Sequence, residues 1–268
     1  MNKEDLVSVI MPTYNAGKYL ADSINSILNQ SYKNLELLIT DDASTDPTTL
    51  QLLQEFASKD NRVDILYLKE NHGAGYARNQ SIERAKGRYI AFCDSDDRWT
   101  TDKLEKQIAF MNKKKCALSC ASYIIFDGET QNEIGFCTAP KKITYGMMKR
   151  DNKVGCLTAI YDVQMLGRKF FMPTIRKRQD WALFLQIIRE CKVCYAYPDK
   201  PLAYYCIRRN SISSNKMSLM KYNIAVYKEI LGFHPIKANL YFFTLFLPTY
   251  GAKILKRKFD SYTFTHQK

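Results

Sequence analysis

Asp94, Asp96 and Asp97 put three carboxylates within four residues, and such a cluster repels itself unless a cation lies among them. A divalent metal is the natural cation. Mg2+ or Mn2+ prefers oxygen ligands and usually completes its shell with water and substrate phosphates, so the Asp94-Ser95-Asp96 spacing suits a nucleotide-diphosphate site. A solvated acidic turn, with Asp97 capping a helix that starts near Thr101, accounts for the same residues without a metal. Three further polar sets are Pro12, Thr13, Tyr14 and Asn15; Asp41 and Asp42; and Asn71, His72 and Gly73. Each of the four sets follows a short apolar run. In a parallel α/β sheet ligands collect at the carboxyl ends of the strands, so the four are expected on one edge.

The elements that must position them can be read from periodicity. Residues 6–11, 35–40, 63–68 and 89–93 are short, apolar and rich in β-branched or aromatic side chains, as strands are. Residues 18–29, 48–58, 75–86 and 101–113 space their apolar side chains at helical intervals. The alternation predicts an α/β fold with a parallel sheet flanked by helices. Beyond residue 115 the pattern loosens, with strands expected at 118–126, 193–197 and 202–207 and a helix at 179–190. Residues 240–247 are strongly apolar but are cut by Pro248, so they are too short to cross a bilayer of roughly 30 Å. Their aromatics, followed by Lys253, Lys256, Arg257 and Lys258, suit an interfacial amphipathic segment, and a helix packed on the core suits them equally. The expected division is a domain over 1–215, with halves 1–115 and 116–215, and a basic helical extension over 216–268.

The net charge of +13 belongs to one half of the chain. Residues 1–140 carry 16 Lys and Arg against 20 Asp and Glu, whereas residues 141–268 carry 24 against 7. The basic half is expected to face something anionic: a membrane surface, a pyrophosphate-bearing ligand or nucleic acid, unless the charge serves solubility alone. With hydrophobic residues at 46% and charged residues at 25%, the composition excludes a disordered chain. No apolar secretory stretch opens the sequence, so a cytosolic location is expected, and the 8 cysteines are read there as reduced core residues. Cys191 and Cys194 form a single C-x-x-C, weak as a zinc signal.

Several longer motifs now combine. V-S-V-I-M-P-T-Y-N-A-G-K-Y-L, I-T-D-D-A-S-T-D, G-A-G-Y-A-R-N, A-K-G-R-Y-I-A-F-C-D-S-D-D and Q-D-W, in that order and spacing, resemble family 2 inverting glycosyltransferases of the GT-A type, as found in bacterial cell-surface polysaccharide synthesis. The match is close over residues 7 to about 115, looser over 150–215, and absent from the last fifty. The resemblance implies a GT-A fold, a Rossmann-like mostly parallel sheet with a C-terminal helical extension. It implies a nucleotide pocket built from Pro12, Thr13, Tyr14, Asn15, Asp41, Asp42, Arg78, Asp94, Ser95 and Asp96. In that pocket Tyr14 stacks near the base, Asp41 takes the uracil edge, Asp94 lies nearer the ribose and Asp96 ligates Mn2+ or Mg2+. Asp180 becomes the catalytic base, although it could also serve as the N-cap of a helix whose apolar face holds Leu183, Ile187 and Ile188. Trp181 then shapes the acceptor site, and Tyr205, Arg208, Arg209 and Ser211 form a loop over the diphosphate.

Ala43 and Ser81 stand where the family commonly has glycine, and Gln179 where it often has Glu. The Q-x-x-R-W signature of processive synthases is absent, which implies one sugar per encounter. The resemblance therefore implies inverting transfer of a single sugar from a UDP-sugar donor to a hydroxyl of a lipid-diphosphate-linked saccharide in O-antigen or capsule synthesis. The expected setting is cytoplasmic, peripheral at the inner face of the cytoplasmic membrane, with no nucleic acid partner. A metal-dependent nucleotidyltransferase is the alternative of similar chemistry, but it leaves Asp180 without a task. A non-catalytic binder of nucleic acid or anionic surfaces is the alternative suggested by charge, against which the basic residues are scattered through apolar segments.

Overall fold

Val7, Val9 and Met11 alternate with Ser8 and Ile10 along a segment in which every residue is buried, and this period of two sends side chains to both faces of a sheet. A computed structural model describes residues 5–208 and 216–266. Its first part alternates strands β1 (Val7–Thr13), β2 (Leu35–Asp41), β3 (Val63–Tyr67) and β4 (Tyr89–Phe92) with helices α1 (Leu20–Leu28), α2 (Pro47–Lys59) and α3 (Ala74–Arg84). Short β5 (Arg98–Trp99) and α4 (Lys103–Lys114) follow. Local chemistry sets several boundaries. Asp46 caps α2 by accepting from the Thr49 amide at 2.9 Å, with Pro47 beginning the helix, and Lys115 closes α4 in a left-handed conformation.

The second part adds β6 (Leu118–Ala121), β7 (Tyr123–Asp127), β8 (Glu133–Cys137), β9 (Lys142–Thr144), α5 (Tyr145–Arg150), β10 (Ile160–Asp162), α6 (Val163–Leu166), α7 (Gln179–Cys191), β11 (Val193–Tyr197) and β12 (Ala203–Ile207). The large sheet runs β3-β2-β1-β4-β10-β6-β11-β9, and a smaller one runs β5-β12-β7-β8. β1 is parallel to β2 and β4, β2 to β3, and β6 to β11, while β10 and β9 run against their neighbours. This is the expected mostly parallel α/β fold. One expectation is corrected. Residues 118–126 are two strands in two sheets, because the chain crosses at Ser122, whose hydroxyl accepts from the Ala139 amide and whose carbonyl accepts from Leu202.

The sheet is covered on both faces. One side packs Val9, Met11, Leu37 and Ala91 with α1 and α4, and the other packs Ile10, Leu38, Ile90 and Phe92 with α3, α7 and the C-terminal helices. Those helices are α8 (Lys216–Ala225), α9 (Pro235–Tyr241) and α10 (Leu247–His266), with wide π-turns at Val226–Ile230 and Phe242–Phe246. Pro248 does not cut the apolar segment, contrary to expectation. The Leu247 amide bonds five residues back to Phe242, and a turn widened in this way relieves the clash a proline ring would make with the carbonyl four residues earlier.

Candidate functional site

The carboxyl ends of β1 and β2 are tied together by a short polar circuit. Asn15, at φ +45°, accepts from the amides of Thr45 and Asp46 through Oδ1, and its own amide donates to Ser44 Oγ. Ser44 in turn donates to both oxygens of buried Asp41, from its amide at 3.0 Å and its hydroxyl at 2.5 Å. Ala43 sits at φ +62°, which is why glycine suits that position. Asp42 is also buried, and its two oxygens accept from the His72 and Gly73 amides at 2.8 and 2.7 Å, pinning the start of α3. Asn15 Oδ1 and both Asp42 carboxylate oxygens thus hold loops at this edge. Pro12 and Thr13 end β1 buried, and the Thr13 hydroxyl finds no partner among the described residues. Tyr14 beside it leaves 52% of its surface open.

The loop after β4 carries the carboxylate cluster, with Ser95 buried between the first two aspartates. Asp94 Oδ1 accepts from Arg78 Nη2 at 2.5 Å, and Asp96 Oδ2 accepts from Arg208 Nη2 at 2.6 Å. Burial, and then the charge of Asp94, raise the Asp96 carboxyl above the usual range. Asp97 caps no helix. It is buried, accepts from the Cys206 amide at 2.9 Å, and is raised further by burial and then by the charges of Asp96 and Asp94, so it ties the loop to β12. Burial opposes the charge of Arg78, but Asp94 beside it and Asp180 farther off more than offset that and raise its basicity. Arg208 lies 5.3 Å over the Tyr19 ring. Arg209 and Ser211 fall outside the described residues.

Asp180 stands in the first turn of α7. It is not the N-cap; that position is Arg178, left-handed at φ +68°, which donates to Asn223 Oδ1 at 2.7 Å. Asp180 Oδ2 instead accepts from Asn152 Nδ2 at 2.9 Å. Arg78 pairs with Asp94, and Gly75, one turn before it on α3, lies against the side chain of Gln179, the neighbour of Asp180.

Residues 8–171 match the family model described as "Glycosyl transferase family 2". The chain belongs to that family. This family 2 glycosyltransferase is 42% identical over 238 residues to TuaG of Bacillus subtilis (strain 168), provisionally named a teichuronic acid biosynthesis glycosyltransferase, with 89% of this chain and 93% of that one covered. It is 38% identical over 216 residues to WfgD of Escherichia coli, named a UDP-Glc:alpha-D-GlcNAc-diphosphoundecaprenol beta-1,3-glucosyltransferase, covering 81% of this chain and 83% of the other. The fold resembles the crystal structure of S. aureus TarS 1-349 in complex with UDP-GlcNAc, with a TM-score of 0.66 at 22% identity over 88% of this chain and 70% of that one.

Members of this family commonly use a divalent metal. Among the described residues no group of three or more His, Cys, Asp or Glu side chains could hold one unaided. Asp94 and Asp96 fit Mg2+ or Mn2+ all the same, since these ions take one or two carboxylates and fill the rest of the shell from phosphates and water.

Trp181 requires a correction. Its ring is 1% exposed, its Nε1 donates to the Met148 carbonyl at 2.7 Å, and it packs against Tyr227 and Phe246, so this family 2 enzyme uses it as core and not as acceptor surface. Two residues that the sequence did not flag stand beside Asp180. Asn152 holds the carboxylate, and no local pattern points to it. Gly75 leaves room for the Gln179 amide, since a Cβ there would collide with Gln179 Nε2; the second glycine of G-A-G was its only signal.

Proposed function

We propose that this enzyme transfers a single sugar from a UDP-sugar to a hydroxyl of a lipid-diphosphate-linked saccharide, with inversion, in cell-surface polysaccharide synthesis. One observation carries the reading: α3 approaches both groups, with Arg78 paired to Asp94 on the loop after β4 and Gly75 against Gln179 beside Asp180 on α7, which supports a diphosphate site and a second carboxylate acting together. The named chemistry of WfgD supports the donor and acceptor classes, and identity over most of both chains supports carrying them across.

In this scheme the open Tyr14 ring stacks on the base, Asp41 takes the uracil edge and the unpartnered Thr13 hydroxyl bonds the nucleoside. Asp94 lies toward the ribose, and Asp96, with Asp94 beside it, holds the metal. Mn2+ or Mg2+, when bound there, supplies positive charge that stabilises the departing diphosphate. Arg78 and Arg208 present planar forks suited to phosphate oxygens, and Arg208 exchanges Asp96 for the diphosphate. Asp180 accepts the proton of the acceptor hydroxyl as the new C–O bond forms at the anomeric carbon and the bond to the diphosphate breaks. Asn152 keeps that carboxylate aimed. The enzyme works in the cytoplasm, peripherally at the membrane that carries its acceptor; among the described residues no helix is long and apolar enough to cross a membrane.

UDP release is the test. UDP-sugars are screened with a GlcNAc-diphospholipid acceptor, with and without Mn2+, and the expected result is cation-dependent UDP release with one β-linked sugar added. Pyrophosphate release in place of UDP would indicate nucleotidyl transfer and overturn the reading.

A further inference from the structure

The inner side of the C-terminal helices is committed to the core. Ala238, Phe242 and Phe246 are buried, Phe264 stacks on Phe136 at 5.7 Å, and the Ser261 hydroxyl accepts from the Phe136 amide at 3.0 Å. The outer side is apolar and uncovered. Ile236, Leu240, Phe243 and Leu247, then Leu255, Phe259 and Tyr262, recur at intervals of three or four residues with one gap at Gly251, and expose between 40% and 75% of their surface. A solvated helix face would carry charges at these positions.

Charge decides what covers that side. Lys237, Lys256 and Lys258 are exposed on α9 and α10, and Lys256 and Lys258 adjoin Leu255 and Phe259. Asp260 is the only carboxylate between residues 231 and 266, and it is turned inward to accept from the Thr138 hydroxyl at 2.7 Å. The exposed surface is therefore apolar and cationic with no anion of its own, and it includes aromatic rings of the kind that settle at a headgroup boundary. A protein partner would have to match a long narrow stripe, whereas an anionic bilayer matches its chemistry everywhere.

We propose that the outer face of α9 and α10 docks the enzyme onto an anionic lipid surface, with Leu255, Phe259 and Tyr262 inserted and Lys256 and Lys258 against the headgroups. This deepens the membrane-borne part of the proposed function. It can fail separately, because vesicle binding needs neither donor nor acceptor.

The full chain is sedimented with sucrose-loaded vesicles of phosphatidylcholine alone or mixed with phosphatidylglycerol, at 0.15 M salt. Binding is expected only with the anionic vesicles. Leu255→Ser, Phe259→Ser and Tyr262→Ser together should weaken it at least about tenfold while leaving UDP binding unchanged. Lys256→Gln and Lys258→Gln together should weaken it about 25-fold, roughly fivefold for each charge. Wild-type protein that stays in the supernatant, or serine variants that bind as wild type does, would overturn the docking face. So would a wild-type dimer in analytical ultracentrifugation that the serine substitutions dissociate, which would make this face an interface between copies. UDP-sugar turnover that persists without vesicle binding would leave the transferase reading standing and remove only the docking.

Discussion

Lys103 begins α4 just beyond the carboxylate loop and is sealed from solvent, with its ammonium 4.1 Å over the Trp99 ring and without a hydrogen-bond partner among the described residues. Burial pushes its pKa from the usual 10.5 down to about 7. Between those limits the unfolded chain holds a proton that the folded one lacks, so this residue's contribution to stability rises with pH across the window and is at its most unfavourable below about pH 7. At about 1.4 kcal/mol per pH unit the ceiling on that penalty is ~5 kcal/mol. Replacing the lysine also removes the attraction between its ammonium and the Trp99 ring, about 1–2 kcal/mol, which lowers the net gain.

Lys103→Met fills much the same volume without a charge. Urea unfolding of both proteins at pH 6, 7.5 and 9, followed by far-UV circular dichroism, is expected to show the variant more stable by roughly 3 kcal/mol at pH 6. The advantage should shrink as the pH rises toward 10.5. Comparing the two proteins cancels buried groups that do not feel Lys103, such as Cys156 and Tyr89, whose raised pKa values act in the opposite sense in the alkaline range. A variant no more stable than wild type at pH 6, or an advantage that stays flat to pH 9, would refute the account of Lys103 as a buried, near-neutral amine.

Asp180→Asn is expected to keep UDP-sugar affinity and lose about 100-fold or more in turnover, the scale of a general base; near-normal UDP release would remove the residue from that role. Asp96→Asn should abolish the gain in UDP affinity that Mn2+ brings, as read by isothermal titration with and without the cation. Gly75→Ala should change unfolding free energy by no more than about 1 kcal/mol, because the clashing Gln179 amide ends a flexible side chain, yet lower turnover by displacing the neighbour of Asp180. Gly87→Ala meets the Ser8 amide at 2.6 Å and the Leu6 carbonyl at 2.7 Å, backbone that cannot swing aside, and should lower stability by about 2 kcal/mol or more.

β1, β2 and β4 could be read within one or two residues of their ends because strands buried on both faces are largely apolar runs bounded by polar turns, whereas the half-open edge strand β3 showed itself by its β-branched and aromatic residues. The carboxylate loop was legible for the same reason: its residues follow β4 directly. The same rule hid the crossing at Ser122, since an apolar run looks alike whether its two halves belong to one sheet or two. Roles inside the site were less legible than positions. Asp41 and Asp42 are adjacent and identical in type, but Asp41 closes a turn with Ser44 whereas Asp42 holds the amides of His72 and Gly73, partners about thirty residues away. Trp181 misled because a tryptophan beside a catalytic motif looks the same in sequence whether it lines a cleft or fills a core.

The three carboxylates of the proposed site are positioned by different kinds of contact. Asp94 and Asp96 sit on a short turn fixed by its own strand, with arginines close at hand. Asp180 depends on a chain of distant contacts: Asn152 holds its carboxylate, Lys253 of α10 donates to the Asn152 carbonyl at 2.5 Å, and the same ammonium pairs with buried Asp151 at 3.1 Å. One helix therefore steadies the proposed base with its inner face while its outer face carries the proposed lipid contact. Deleting that helix would strip Tyr250 from Phe246 and Phe264 from Phe136 and release Asn152 at once, so a truncated chain that failed to bind vesicles would say nothing about docking. Only substitutions confined to Leu255, Phe259 and Tyr262, whose side chains face outward, separate attachment from catalysis.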